Sequence, residues 1–225
     1  IYVAMMRIFV GVAAPFWAVY LLNDLNFSYT WFMLIVVSEV LFMLMFYPLM
    51  GKISDKFGNV ALMKLSSIFL FVNLIPWIVS PMLGLSKIWL LLYFIFIPQL
   101  MSGFGWAGFL LASNNYIYDS VRGEKQSLGL SYFNLLSGLG MFIGGLIGAG
   151  IVLLDVGFNV LFLTFIISCV GRFFVYLFGR KSLREVRHVK HFTSNFIIRE
   201  FAPLRGIVRE VHHLNHIGHK NHHYI

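Results

Sequence analysis

Runs of about 20 uncharged, apolar residues recur down this chain, and each is long enough as a helix, at ~1.5 Å per residue, to cross the ~30 Å hydrocarbon layer of a bilayer. Six can be read, over residues 3–22, 30–50, 62–80, 88–118, 127–154 and 158–178. A single water-soluble core cannot absorb them, and charged residues make up only 12% of the chain where a soluble domain carries ~25%. The fourth and fifth runs are overlong, which implies tilt or ends that project into water. Transmembrane β-strands would instead show ~10-residue segments of alternating hydrophobicity, and none are seen. The expected fold is an all-α membrane protein, with a six-helix transmembrane bundle over residues 1–179 and a basic, His-rich tail over 180–225.

A formal charge of +8 suggests nucleic acid until it is located. Residues 1–179 carry eight Lys or Arg and six Asp or Glu, a net +2, and the tail carries the other +6. Lipid is therefore the expected partner, and nucleic acid is not. The linker after the second span holds Lys52, Lys56 and Lys64, the one after the fourth holds Arg122 and Lys125, and the opposite loops hold only Lys87. Lys and Arg concentrate in cytoplasmic loops, so the chain reads as a multi-pass protein of the cell membrane with both ends cytoplasmic. One cysteine, Cys169 within an apolar run, excludes a disulfide framework and a Cys-based zinc site. The chain enters an apolar run directly at Ile1, which predicts missing upstream sequence; a cleaved signal peptide would leave a similar start.

Three charged residues fall inside spans, where a central charge costs ~2.5–3.5 kcal/mol or more and needs a partner or a wet cavity. Arg172 lies six residues from the end of its span and Arg7 near the mouth of the first, so both are expected to snorkel to the headgroups. Glu39 is ten residues into the second span, ~15 Å from its outer end. A carboxylate cannot snorkel that far. It is either a protonated glutamic acid satisfied by a neighbouring helix or a cavity-facing group that contacts a coupling ion or a solute.

The linker Gly51-Lys52-Ile53-Ser54-Asp55-Lys56-Phe57-Gly58-Asn59 joins the second span to the third. Its glycines permit a tight turn, and Asp55 is an anion placed to meet helix N-terminal N–H groups. This stretch resembles the G-x-x-x-D-[RK]-x-G-[RK]-[RK] loop of the major facilitator superfamily of secondary transporters, matching at Gly51, Asp55, Lys56 and Gly58 while Asn59 and Val60 replace the basic pair. The first span, through Ala14-Pro15-Phe16-Trp17, is similar to that family's seventh helix, and Asn114-Asn115-Tyr116-Ile117-Tyr118-Asp119 with the following Arg122-Gly123-Glu124-Lys125 is similar to its tenth helix and loop. The resemblance covers about residues 1–187. It implies helices seven to twelve of a twelve-helix fold, lacking the N-terminal six-helix half, with the linker as a cytoplasmic gating loop.

Gly140, Gly144 and Gly148 repeat at four-residue spacing in the fifth span, a small-residue stripe that lets another helix approach closely. Packing within the bundle is the plain reading; the resemblance implies instead a face turned toward the missing half. Polar residues inside spans mark a candidate cavity for a small solute: Asn73, Gln99, Ser113, Asn114, Asn115, Ser131, Tyr132 and Asn134. Glu39, Gln99, Asn114, Asn115 and Asn134 are the candidate substrate or coupling-ion residues. The fourth span also carries Pro98, Gly103, Gly105 and Gly108, so it is expected to bend.

After Pro203, Leu204, Ile207, Val208 and Val211 recur at helical spacing among Arg205, Arg209 and Glu210, which reads as a short amphipathic helix on anionic lipid. His212 and His216 share a helix face and a metal-ligand spacing, although exposed His-rich tails are commonly just solvated. No HExxH motif, Walker loop, G-x-S-x-G elbow or pair of intramembrane aspartates is present, so no enzyme and no cofactor is expected. The favoured reading is a secondary active transporter moving a small solute by alternating access, coupled to an ion gradient because the chain contains no ATP-binding motif. The other reading is a self-sufficient six-span protein whose His-rich tail senses or delivers a metal.

Overall fold

The computed structural model describes residues 1–121, 123–154 and 160–186. The amphipathic stretch after Pro203, His212 and His216 lie outside the described residues. Every regular element among the described residues is helical. Six of them are long and apolar enough to cross a membrane: α1 (Tyr2–Asp24), α2 (Tyr29–Phe57), α3 (Asn59–Leu83), α4 (Lys87–Ser120), α5 (Gly123–Val152) and α6 (Val160–Gly179).

Three of these helices are interrupted beside a proline. The α-helical turns of α1 stop at Ala13 and resume at Phe16, those of α3 stop at Val72 and resume at Leu74, and those of α4 stop at Phe96 and resume at Pro98. Proline has no N–H to donate and its ring clashes with the carbonyl four residues back, so it is tolerated in the first turn of a restarted helix. Pro98 and Pro76 both occupy such first turns. Each break leaves carbonyls without intrahelical donors. In α3 the carbonyls beside the break are also met from α6: Arg172 Nη1 donates to Leu70 O at 2.7 Å and the Cys169 thiol donates to Phe71 O at 3.4 Å. A guanidinium at a helix C-terminus is also favoured by the helix dipole.

Packing follows the small residues. α1 lies against α5 and α6, while α4 lies against α2 and α3. Gly140, Gly144 and Gly148 are buried and face the backbone carbonyls of Ala4, Ile8 and Val12 on α1; a Cβ added at Gly140 would stand 2.6 Å from Ala4 O. Gly11 answers from the α1 side against Met141 O. The stripe is therefore filled by this chain's own first helix, which corrects the reading that turns it toward a missing half: α1 is the close partner that three glycines in line can accommodate. On α4, Gly103 abuts the α2 backbone at Glu39 and Met43 while Gly108 abuts Ser66 on α3.

At one end of the bundle Tyr20, Phe27, Trp77, Phe94 and Phe165 form a buried aromatic cluster with Trp17 and Trp31 at its edge. Trp77 stacks on Phe94 with ring centroids 4.6 Å apart, and the Tyr20 and Ser80 hydroxyls hydrogen-bond at 2.8 Å.

Candidate transport cavity

Ala14 and Asn73 at the breaks in α1 and α3, and Gln99 just after the break in α4, all line a cavity of about 190 Å³ that takes residues from all six helices. Its polar lining is Glu39 from α2, Asn73 from α3, Gln99 and Ser102 from α4, and Arg172 from α6. Trp17, Trp77 and Trp106 supply aromatic walls. Ser102 Oγ donates to Glu39 Oε1 at 2.5 Å, so the carboxylate is held by the helix on which α2 packs most closely. Arg172 is 5% exposed. Its Nη1 is engaged with Leu70 O, whereas its Nε, like Asn73 Oδ1, is buried with no partner among the described residues.

The snorkelling expected for Arg172 is thus corrected. Six residues from the end of a span is close enough to reach water, but α6 turns this position toward the break in α3, where free carbonyls and the cavity replace the headgroups. Arg7 is half-buried: its guanidinium carbon lies 4.8 Å from the centroid of the Trp106 ring, a cation–π geometry, and its Nε is buried with no partner among the described residues. Glu39 faces the cavity, and Gln99, 4% exposed, lines it. Asn114 and Asn134 are exposed and Asn115 is half-buried, and none of the three lines this cavity. Asn73, Ser102 and Arg172 complete the polar set; Asn73 is legible as a polar residue in a span, while Ser102 carries no signal beyond its contact with Glu39.

The linker between α2 and α3 has its own geometry. Gly58 sits at φ +87°, a conformation natural to glycine, and it is packed closely by the Glu185 side chain. Glu185 Oε2 accepts from Val60 N at 2.8 Å, satisfying one of the free N–H groups that open α3. Asp55, expected at that post, lies in the last turn of α2 and is exposed. Lys56 lies over the Phe57 ring, 5.5 Å from its centroid, and Gly51 has open space where a Cβ would stand. Asn59 is fully buried: Ser54 Oγ donates to its Oδ1 at 2.5 Å and its Nδ2 donates to Asp119 Oδ2 at 2.6 Å. Ser54, Asn59, Asp119 and Glu185 thereby tie the α2–α3 turn to the end of α4 and to the segment after α6.

The family model of the Major Facilitator Superfamily matches residues 1–212. The chain belongs to that superfamily. Its six long apolar helices are consistent with half of the major facilitator fold, and the superfamily comprises membrane transporters of small solutes rather than enzymes. The protein is accordingly a multi-pass membrane protein of a transporter family. No curated protein and no solved structure matches the chain. At the second position of the α2–α3 turn this member has Asn59, whose amide donates to the Asp119 carboxylate and ties the turn to α4.

Proposed function

We propose that this chain is the C-terminal half, helices seven to twelve, of a secondary active transporter, and that its solute crosses through the cavity between Glu39 and Arg172 by alternating access. The observation that carries the reading is a cavity lined from all six helices and furnished with two intramembrane charges and two amides. Charges in that position are costly unless the site uses them. Glu39 serves as the coupling-ion or solute-contacting group and Gln99 as a solute contact. Asn114, Tyr132 and Asn134 are exposed polar side chains on α4 and α5, positions better suited to an opposing six-helix half than to lipid. On this reading the α2–α3 linker and the tail are cytoplasmic, and Gly51, Asp55, Lys56 and Gly58 belong to a loop that gates the cavity from that side.

The test is a comparison of solute pools in cells expressing the full gene product, its Glu39→Gln variant, or neither. The proposal expects at least one small solute to be accumulated or depleted by the wild type and restored toward the control level by Glu39→Gln at equal membrane abundance. Identical pools in the wild type and the empty control would overturn it.

A further inference from the structure

Resting on that reading of the cavity as the solute site, we propose that the solute is a small organic monoanion with an apolar or aromatic body, and that it enters together with one proton. Three features of the cavity lead there. Its one buried cation has hydrogen-bonding capacity to spare: Arg172 is almost wholly buried, its Nη1 is engaged by Leu70 O, and its Nε, like the neutral acceptor Asn73 Oδ1, has no partner among the described residues. Glu39, by contrast, already accepts from Ser102. The walls are Trp17, Trp77 and Trp106, flat surfaces suited to an apolar body whose charged end lies on the guanidinium.

Charge balance then couples the two ligands. With Glu39 ionised and no solute, the cavity holds one cation and one anion. An added carboxylate leaves a net negative charge in a low-dielectric site, and an added proton alone leaves a net positive one. Either charged state is costly there. Proton and monoanion together restore neutrality, the carboxylate pairing with Arg172 while Glu39 is neutral. Each therefore raises the affinity for the other, and reciprocally so. Arg172 is the charged group that shares the cavity with Glu39. Arg7 stands behind Trp106 from α1, the Cys169 thiol is turned to Phe71 O, and Tyr20 is bonded to Ser80. The remaining ionisable groups on helices packed against α2, namely Tyr2, Asp24, Lys64, Lys87, Tyr93, Tyr116, Tyr118 and Asp119, do not line it.

The experiment uses the full transporter in nanodiscs and radiolabelled benzoate, which stays ionised across the range used, with benzamide and benzylammonium as competitors of the same shape. Benzoate is expected to bind ~10-fold more tightly at about pH 5.5 than at about pH 8, a typical coupling factor, and to be displaced by neither competitor. Glu39→Gln should bind benzoate tightly at both pH values. Arg172→Gln should lose binding, and Arg172→Lys, which keeps the charge if the glutamine variant fails to fold, should retain it. No benzoate binding, or equal displacement by benzamide or benzylammonium, overturns the anion assignment and leaves the cavity reading standing. Benzoate binding that is pH-dependent but indifferent to both Glu39→Gln and Arg172→Gln places the anion elsewhere and overturns the cavity reading itself.

Discussion

Replacing Gly144 by alanine adds one methyl group where the structure leaves no room for it. The new Cβ would overlap the Ile8 carbonyl oxygen and stand 2.9 Å from the Gly11 Cα, both of them backbone atoms of α1. Carbon atoms rest at ~3.5–4.0 Å, so α1 and α5 must part by roughly 1 Å along their shared seam, where such a gap already forfeits a quarter to a half of each contact's attraction. Overpacking of this kind costs ~1–3 kcal/mol. The neighbouring Gly145 is the control, since a Cβ there meets nothing within 4 Å, and an alanine in a helix is intrinsically better than glycine by up to ~1 kcal/mol. That gain is common to both variants and cancels, so Gly144→Ala should melt below Gly145→Ala by a margin equivalent to ~1–3 kcal/mol, at about 2–4 °C per kcal/mol for a chain of this size. Detergent-solubilised protein followed by circular dichroism or thermal-shift fluorescence reads the difference. Equal melting temperatures for the two variants would refute the close α1–α5 packing.

Further outcomes distinguish the roles assigned above. Asn59→Ala, which leaves Ser54 and Asp119 without their bridge, should destabilise by ~1–3 kcal/mol, whereas Asp55→Ala on the exposed face should stay within about 0.5 kcal/mol; denaturation of the two variants in parallel checks the contrast. Glu185→Ala removes the acceptor for Val60 N and should speed amide exchange in the first turn of α3 while leaving α5 unchanged, at a cost of ~1 kcal/mol; exchange mass spectrometry that finds no change at α3 would count against the cap. Arg172→Leu should raise exchange around Leu70 and Phe71, because an apolar isostere cannot donate to the carbonyls at the break.

The six spans are legible in the sequence because the bilayer demands about 20 apolar residues for each crossing, and the midplane depth of Glu39 is simple arithmetic along a helix. Direction around the helix is harder. Arg172 and Asn134 each read as polar residues inside a span, yet one is turned into the cavity and the other away from it, and no stripe in the sequence decides which, since lipid-facing and core-facing positions are both apolar. The bend in α4 is foreshadowed by Pro98, whereas the role of Glu185 is not, because its contact with Val60 spans 125 residues. The glycine stripe announces close packing without naming its partner, which proves to be α1.

The central claim is that the space between Glu39 and Arg172 is a water-accessible path reached from both sides of the membrane in turn. A single cysteine at Gln99, in a Cys169→Ala background of the full transporter, reports on it directly. In sealed, oriented vesicles a membrane-impermeant maleimide should label Gln99→Cys from either face, and a cysteine in place of Phe109, fully buried against the same bundle, should label from neither. Labelling of Gln99→Cys from one face only, or from neither, would contradict the account.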